Sequence, residues 1–221
     1  MAVVHHTTLR PTKPELLARW LPTRPWYRGG PAPEPTTVGG FRLDDPAGEV
    51  GIEFIVLTEE SGPEPAVHLV PLTYRGAPLD GADDDAALVG TLEHGVLGKR
   101  WVYDGSHDPV LVSRLLALIE GRTEAQDQNT TGTPDRDVSR EYSGTAAPLP
   151  GAADVLAPGT VTDDGEGTVV ALGPDLALHL HRDPREPLPE GTIGHVEGSW
   201  RGADGSRERG VFATIRRGGA S

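Results

Sequence analysis

The sequence predicts an α+β fold, in which an antiparallel β-meander packs with two short helices and is followed by a second, hairpin-rich part. Short runs rich in β-branched and apolar residues alternate with turn sequences, whereas only two segments show helical spacing. The 29 Gly and 21 Pro among 221 residues supply those turns and argue against a helical bundle or a coiled coil. Because the connections in the first part are short, they allow antiparallel neighbours and exclude parallel crossovers.

The first helix is predicted to begin after Thr12. Thr12 can cap the helix, Glu15 follows three residues later, and Pro14 fits the first turn. The apolar residues then fall on one face: Leu16, Leu17, Trp20 and Leu21. Pro22 ends the helix, which is short enough to require tertiary packing.

Three strands are predicted next, at 38–43, 50–58 and 66–74, and a further hairpin at 88–94 and 99–103. The second of the three strands carries apolar residues on both faces in its second half, so both faces are expected to be covered. Pro71 interrupts the third strand and indicates a sheet edge or a bulge there.

The second helix is predicted from Asp108 to about Glu120. Asp108 is a good N-cap, Pro109 suits the first helical position and Gly121 suits the C-terminus. The helix is apolar almost all round, which predicts burial on more than one side. His107 and Asp108 resemble half of a catalytic dyad, but capping is the simpler interpretation of adjacent residues before a helix.

The remaining chain is predicted to contain a flexible linker and two hairpins. Residues 121–137 include no large apolar side chain, so they cannot bury enough surface to offset the entropy of ordering them. We therefore divide the chain into an α+β domain at 1–120, a linker at 121–159 with a short ordered stretch near Tyr142, and a β-rich domain at 160–217.

Charge and composition exclude several partner classes. A net charge of −13 with only two Lys argues against nucleic acid and against an anionic membrane surface. No run approaches the roughly 20 apolar residues of a membrane span. The chain has no Cys, which removes disulfides and thiolate chemistry and fits a cytoplasmic location.

Two groups of residues are candidates for a binding site. The first is aromatic and could stack a sugar or, alternatively, anchor the first helix to the sheet: Trp20, Trp26, Tyr27, Trp101 and Tyr103. The second is the pair His179 and His181, which share one face of a strand at a spacing used by metal sites, with His195 as a possible third ligand. Packing is the favoured interpretation of the aromatic residues, and a wetter strand face that of the histidines.

Four segments of the first 120 residues stand out together: Leu-Ala-Arg-Trp-Leu-Pro at 17–22, Pro-Trp-Tyr-Arg-Gly at 25–29, Val-Pro-Leu-Thr-Tyr-Arg at 70–75 and Tyr-Asp-Gly-Ser-His-Asp-Pro at 103–109. In this order and spacing they resemble the N-terminal cap of bacterial maltokinases. Those maltokinases are actinobacterial sugar kinases with an aminoglycoside-phosphotransferase-like fold. The resemblance implies a place in trehalose, maltose and glycogen metabolism.

The resemblance also implies that the second part is a degenerate kinase N-lobe. The hairpin at 167–182 looks like the phosphate-loop hairpin of the family, but His179 stands where a Lys would hold the nucleotide phosphates. Asp163 and Asp164 would repel a polyphosphate, and the chain ends at Ser221 with no room for the catalytic lobe. We therefore expect no catalytic residues and no cofactor.

The resulting expectation is a non-catalytic accessory or regulatory module with a protein partner in sugar metabolism. Two alternatives stay open. The chain could be a subunit that completes a sugar-kinase site with another chain, or it could be a carbohydrate-binding module that uses the aromatic residues.

Overall fold

The computed structural model describes residues 8–80, 87–144, 149 and 160–217. Within these residues, two α-helices are described along their whole length: α1 (Lys13–Trp20) and α2 (Pro109–Ile119). The strands are β1 (Leu9–Arg10), β2 (Thr36–Leu43), β3 (Gly51–Glu59), β4 (Ala66–Arg75), β5 (Leu88–His94), β6 (Gly98–Asp104), β7 (Ser139–Tyr142), β8 (Val161–Asp163), β9 (Gly167–Gly173), β10 (Leu176–His181), β11 (Thr192–Arg201) and β12 (Arg207–Arg217). Short 3₁₀ turns follow α1 at Leu21–Thr23 and β6 at Gly105–His107.

These strands form one antiparallel sheet in the order β1-β5-β6-β4-β3-β2-β11-β12-β10-β9-β8, and β7 pairs with β11. The predicted β-rich α+β class with two short helices is confirmed. None of the helices in the described part of the chain has the length and apolar composition needed to span a membrane.

Helix α1 forms as its sequence predicts. The Thr12 side chain accepts a hydrogen bond from the Glu15 backbone N–H, and the Glu15 carboxylate accepts one from the Thr12 N–H at 2.8 Å. Leu16, Leu17 and Trp20 are buried on one face. Eight residues are too few for a helix that is stable alone, so this packed face holds α1 in place.

Two hydrophobic clusters lie on opposite faces of β3. Phe54 and Val56 face the larger cluster, which includes α2 and residues of the C-terminal strands. Ile55 and Leu57 face the smaller cluster, which includes α1 and Trp26. The expected two-sided burial of this strand is therefore confirmed.

Pro71 lies in β4, an inner strand of the sheet, but at a position where β4 pairs with a strand on one side only. It pairs with Phe54 of β3, whereas pairing with β6 begins only at Leu72. On that second side, the Leu69 N–H donates to the Arg182 carbonyl at 2.8 Å, outside any strand. Pro71 lies two residues further along β4 and has no N–H to donate, and none is required because no strand pairs with β4 on this side at that point. The edge character that the sequence predicts is therefore limited to this part of β4.

Helix α2 is capped at both ends by the residues that predict it. The Asp108 carboxylate accepts a hydrogen bond from the Val110 N–H at 2.9 Å. Gly121 has φ of +76°, a left-handed conformation that suits glycine at a helix C-terminus. Seven of the eleven helical residues are buried, which agrees with an apolar surface almost all round.

The expected linker differs from the structure over residues 121–144. Gln126 forms a backbone bridge to Arg42 of β2, Ala125 is buried in the larger cluster, and β7 pairs with β11. Backbone hydrogen bonds hold this segment, so a count of apolar side chains misses its order. The second part of the expected linker, at 145–148 and 150–159, lies outside the described residues. The division of the chain into domains stays a prediction.

The C-terminal strands join the first part mainly through side chains. Strands β11 and β2 share a single backbone pair, Trp200 with Gly39. Behind this pair, Phe41 stacks on Phe54 at 4.5 Å between ring centroids and on Phe212 at 5.9 Å. The aromatic stack therefore runs from β3 through β2 to β12 and makes one core of both parts.

Candidate functional site

Three of the five aromatic candidates are core residues. Trp20, Trp26 and Tyr103 are 5 %, 2 % and 1 % exposed, too little for any of them to stack a sugar ring. Trp20 and Trp26 meet edge to face at 5.6 Å between ring centroids. The Tyr103 hydroxyl accepts a hydrogen bond from the Leu79 N–H at 3.0 Å. The packing interpretation therefore describes these three.

The other two aromatic candidates are half-buried and lie apart from each other in the fold. Tyr27 donates from its hydroxyl to the Gly30 carbonyl at 3.1 Å. Trp101 lies on β6 with the Lys99 ammonium 4.7 Å from its ring centroid. The structure does not bring all five rings together on one surface.

The two candidate metal ligands differ in their surroundings. His181 is buried, its Nε2 lies 3.0 Å from the Thr214 hydroxyl, and burial lowers its pKa to about 4. His179 is half-buried, and burial lowers its pKa as well, followed by the charge of Arg216. Within the described residues, no group of three His, Asp or Glu side chains suits a metal ion.

His107 and Asp108 do not form a dyad in this structure. Asp108 is fully buried; it caps α2 and binds the Arg75 guanidinium through both carboxylate oxygens, at 2.6 and 2.7 Å. The capping interpretation is confirmed.

The most unusual polar feature is a buried group that we call the Arg182 junction: Trp26, Tyr27, Glu59, His68, Asp104, Thr168, Arg182 and Asp183. Arg182 follows β10 and is only 1 % exposed. Its Nη2 donates to Asp104 at 2.6 Å, its Nε donates to the Thr168 hydroxyl at 2.8 Å, and its guanidinium lies over the Trp26 ring at 4.5 Å. Residues that are far apart in sequence thus contact the same buried positive charge.

Asp104 connects this junction to the 3₁₀ turn at Gly105–His107, which precedes α2. One carboxylate oxygen accepts from the Ser106 N–H at 3.0 Å and from the Ser106 hydroxyl at 2.8 Å. The other oxygen accepts a hydrogen bond from the Arg182 guanidinium and pairs with its charge. Because a buried charge without its partner costs several kcal/mol, Asp104 and Arg182 depend on each other.

The other side of the junction is poorly satisfied. His68 and Glu59 are each 1 % exposed. Neither ring nitrogen of His68 has a hydrogen-bond partner among the described residues, and the same holds for Oε2 of Glu59 and Nη1 of Arg182. Such buried atoms are rare in folded proteins and call for a physical explanation.

A second buried carboxylate, Glu53 on β3, holds α1 to the sheet. It binds the Lys13 ammonium, the Tyr74 hydroxyl at 2.9 Å and the Gln128 amide at 3.1 Å. Burial alone would raise the pKa of Glu53, but the Lys13 charge and the three hydrogen bonds outweigh it, so the pKa is lowered. Glu53 therefore stays ionised at neutral pH.

A polar groove of about 410 Å³ opens where β2 meets β11. The residues that line it include Asp127, Asp135, Asp137, Trp200 and Arg207. Burial, followed by the charges of the other two carboxylates, raises the pKa of Asp135. Asp127 and Asp135 accept hydrogen bonds from nearby backbone N–H groups, and Asp137 pairs with Arg207, which gives all three carboxylates local structural roles.

Sequence reasoning missed two ionisable members of the junction, His68 and Arg182. His68 alternates with Val70 and Leu72 on β4, and Val70 and Leu72 belong to the smaller cluster. A polar residue at an inward position of a strand is the signal that could have found it. Arg182 follows the end of β10 and carries no such signal.

A comparison with known protein families finds a match for the part of the chain that holds most of the junction residues. Residues 20–108 match the family model of the maltokinase N-terminal cap domain. The match covers about two fifths of the chain and confirms the resemblance stated above. No curated protein matches the chain.

The matched segment, which we call the cap domain after the model that it matches, contains Trp26, Tyr27, Glu59, His68 and Asp104, whereas Thr168, Arg182 and Asp183 lie beyond it. The Arg182 junction is therefore one of the places where the cap domain contacts the C-terminal part of the chain. The signature segments at 25–29 and 103–109 both reach it.

Proposed function

We propose that the chain is a non-catalytic accessory or regulatory module related to maltokinases, acting with a protein partner in α-glucan, trehalose or maltose metabolism. The observation that carries this proposal is the structural role of residues from the segments that resemble the maltokinase cap. Asp104, Asp108 and Trp26 are buried and bound to Arg182 or Arg75, so they hold the fold together. The relation to maltokinases rests on the match at 20–108.

The hairpin of β9 and β10, taken as a degenerate kinase phosphate loop, also favours a non-catalytic role. A phosphate loop needs free backbone N–H groups that point at the phosphates. In the turn before β9, the Asp164 carboxylate already accepts hydrogen bonds from the Glu166 N–H at 2.8 Å and the Gly167 N–H at 2.9 Å. The Asp164 carboxylate thus takes up backbone N–H groups that a phosphate in this turn would need, and its charge repels a phosphate.

His179 adds a second obstacle to nucleotide binding. The phosphotransferase resemblance places a fixed positive charge at this position. Burial and the nearby Arg216 lower the pKa of His179, so its ring is neutral at pH 7. A neutral imidazole cannot balance the charge of a triphosphate.

Calorimetry with Mg-ATP, with and without maltose, tests the non-catalytic part. We expect no saturable heat at millimolar nucleotide and no maltose phosphate in an overnight reaction. The matched variant combines Asp164→Gly with His179→Lys, which frees the turn and restores a charge; we expect it to gain detectable ATP binding. A micromolar dissociation constant for the unmodified chain would overturn the proposal.

Adding the chain to a purified maltokinase tests the accessory part. We expect a saturable change of at least about two-fold in the rate of maltose phosphorylation. An unchanged rate over a hundred-fold excess would argue against regulation of this class of enzyme. If the chain instead bound Mg-ATP only in the mixture, the alternative of a subunit that completes a kinase site would replace the proposal.

A further inference from the structure

His68 occupies a position that leaves one N–H donor unpaired when its ring is neutral and two when its ring is charged. The ring lies 5.2 Å from Tyr27 and 6.0 Å from Trp26, measured between centroids, and is 1 % exposed. Both of its nitrogens lack hydrogen-bond partners among the described residues. An imidazolium has two N–H donors, and both would be left without an acceptor in this packing.

The charged groups around His68 come from two sides. Glu59, on the neighbouring strand β3, gives one carboxylate oxygen to the Ser61 N–H at 2.6 Å and leaves the other without a partner. From the segment after β10, Asp183 faces the ring but is already paired with Arg185, at 2.9 and 2.6 Å. Arg182, from the same segment, is paired with Asp104.

These groups pull the protonation of His68 in opposite directions. Burial lowers the pKa of His68 to about 4; Asp183 and Glu59 act against this effect, and Arg185 and Arg182 add to it. Tyr27 is neutral here, since burial raises its pKa. In the closed junction the His68 ring is therefore neutral at pH 7, with a single N–H.

We propose that the Arg182 junction is a pH-sensitive joint between the cap domain and the C-terminal strands, with His68 as its protonatable element. With a neutral ring, the loop that carries Trp26 and Tyr27 packs onto His68 and Arg182. When the ring takes up a proton, this loop moves away, water reaches the ring, and the free oxygen of Glu59 becomes an acceptor for the new N–H.

The direction of the pH effect follows from the pKa of His68, which is about 4 in the closed state against an ordinary value of 6.5. The closed state is fully favoured above pH 6.5 and loses its advantage as the pH falls toward 4. If the open ring has the ordinary pKa, the opening equilibrium increases about twenty-fold between pH 7 and pH 5.

Hydrogen exchange of the full chain between pH 7 and pH 5, expressed as protection factors, measures this opening. We expect amides at 24–30 and 182–186 to lose protection about twenty-fold, while amides of β11 and β12 keep theirs. His68→Phe keeps an aromatic ring that never charges, and it should hold protection constant. His181→Phe is the matched control: it removes another buried histidine outside the junction, and it should lose protection at 24–30 like the parent.

Two results would overturn the proposal: constant protection at 24–30 in the parent chain, or an undiminished loss in His68→Phe. A second measurement covers the case in which His68→Phe does not fold. In the parent chain, the nuclear magnetic resonance signal of the His68 ring should titrate with the same midpoint as the loss of protection. Titration of the ring without opening, or opening at a different midpoint, would equally reject the joint.

Discussion

The cap domain and the C-terminal strands are built differently, although they share one sheet. The cap domain is a meander of neighbouring strands, in which β2, β3 and β4 pair over most of their length. Between the two regions, the strands share one backbone pair, Gly39 with Trp200, and one further backbone hydrogen bond runs from the Leu69 N–H to the Arg182 carbonyl. Aromatic stacking on one side and the Arg182 junction on the other supply the rest.

This difference teaches that backbone pairing stabilises each region internally, whereas side chains join the two. Backbone hydrogen bonds form with almost any sequence. The joining contacts depend on particular residues, chiefly Phe41, Phe212, Asp104 and Arg182. Single substitutions should therefore separate the regions more readily than they unfold either region.

The largest effect is expected from breaking the charge pair of the junction. Asp104→Ala leaves Arg182 buried without its partner and should lower the free energy of unfolding by about 3–5 kcal/mol. The double variant Asp104→Leu with Arg182→Met replaces both charges by apolar groups and should recover much of that loss. Urea denaturation of the two variants measures it. A double variant no more stable than Asp104→Ala would mean that Arg182 acts through packing on Trp26 and Thr168.

The next largest loss of stability is expected at one of two tryptophans of the cap domain, which we compare. Trp20→Ala removes a buried ring from the smaller cluster and should cost about 3–5 kcal/mol. Trp101 is half-buried on β6, so Trp101→Ala should cost clearly less, about 1–2 kcal/mol. Thermal melts of both variants make the comparison. Equal losses would show that Trp101 contributes to the core as fully as Trp20 does.

The smallest effect is expected at the start of α1, outside the matched domain. Thr12→Ala removes one half of the capping box and should cost about 1 kcal/mol. Thr12→Ser keeps the hydroxyl and serves as the control, with almost no change. Chemical denaturation resolves the two. A loss much greater than that of a single cap would indicate that α1 also holds the sheet together through Lys13 and Glu53.

The helices and most strands were predictable because their signals are local. Thr12 and Glu15 mark α1, and Asp108, Pro109 and Gly121 mark α2, each through a bond within one turn of the chain. The two C-terminal hairpins were predictable for the same reason, since a glycine-rich turn separates two alternating runs.

The charged junction and the ordered segment after α2 depend on contacts that sequence patterns do not show. Asp104 and Arg182 are 78 positions apart, and neither predicts the other. Residues 121–144 are ordered by backbone bonds such as those between Arg42 and Gln126, which any side chain permits. Hydrophobic periodicity reports burial of side chains and carries no information about such bonds.

The lengths of the outermost strands bear on how another protein could dock. At one end of the described sheet stands β1, with two residues, and at the other β8, with three. Edges this short offer few backbone groups to an incoming chain, which disfavours strand addition and edge-to-edge aggregation. A chain that docks at β1 or β8 would therefore need side-chain contacts in addition to backbone pairing.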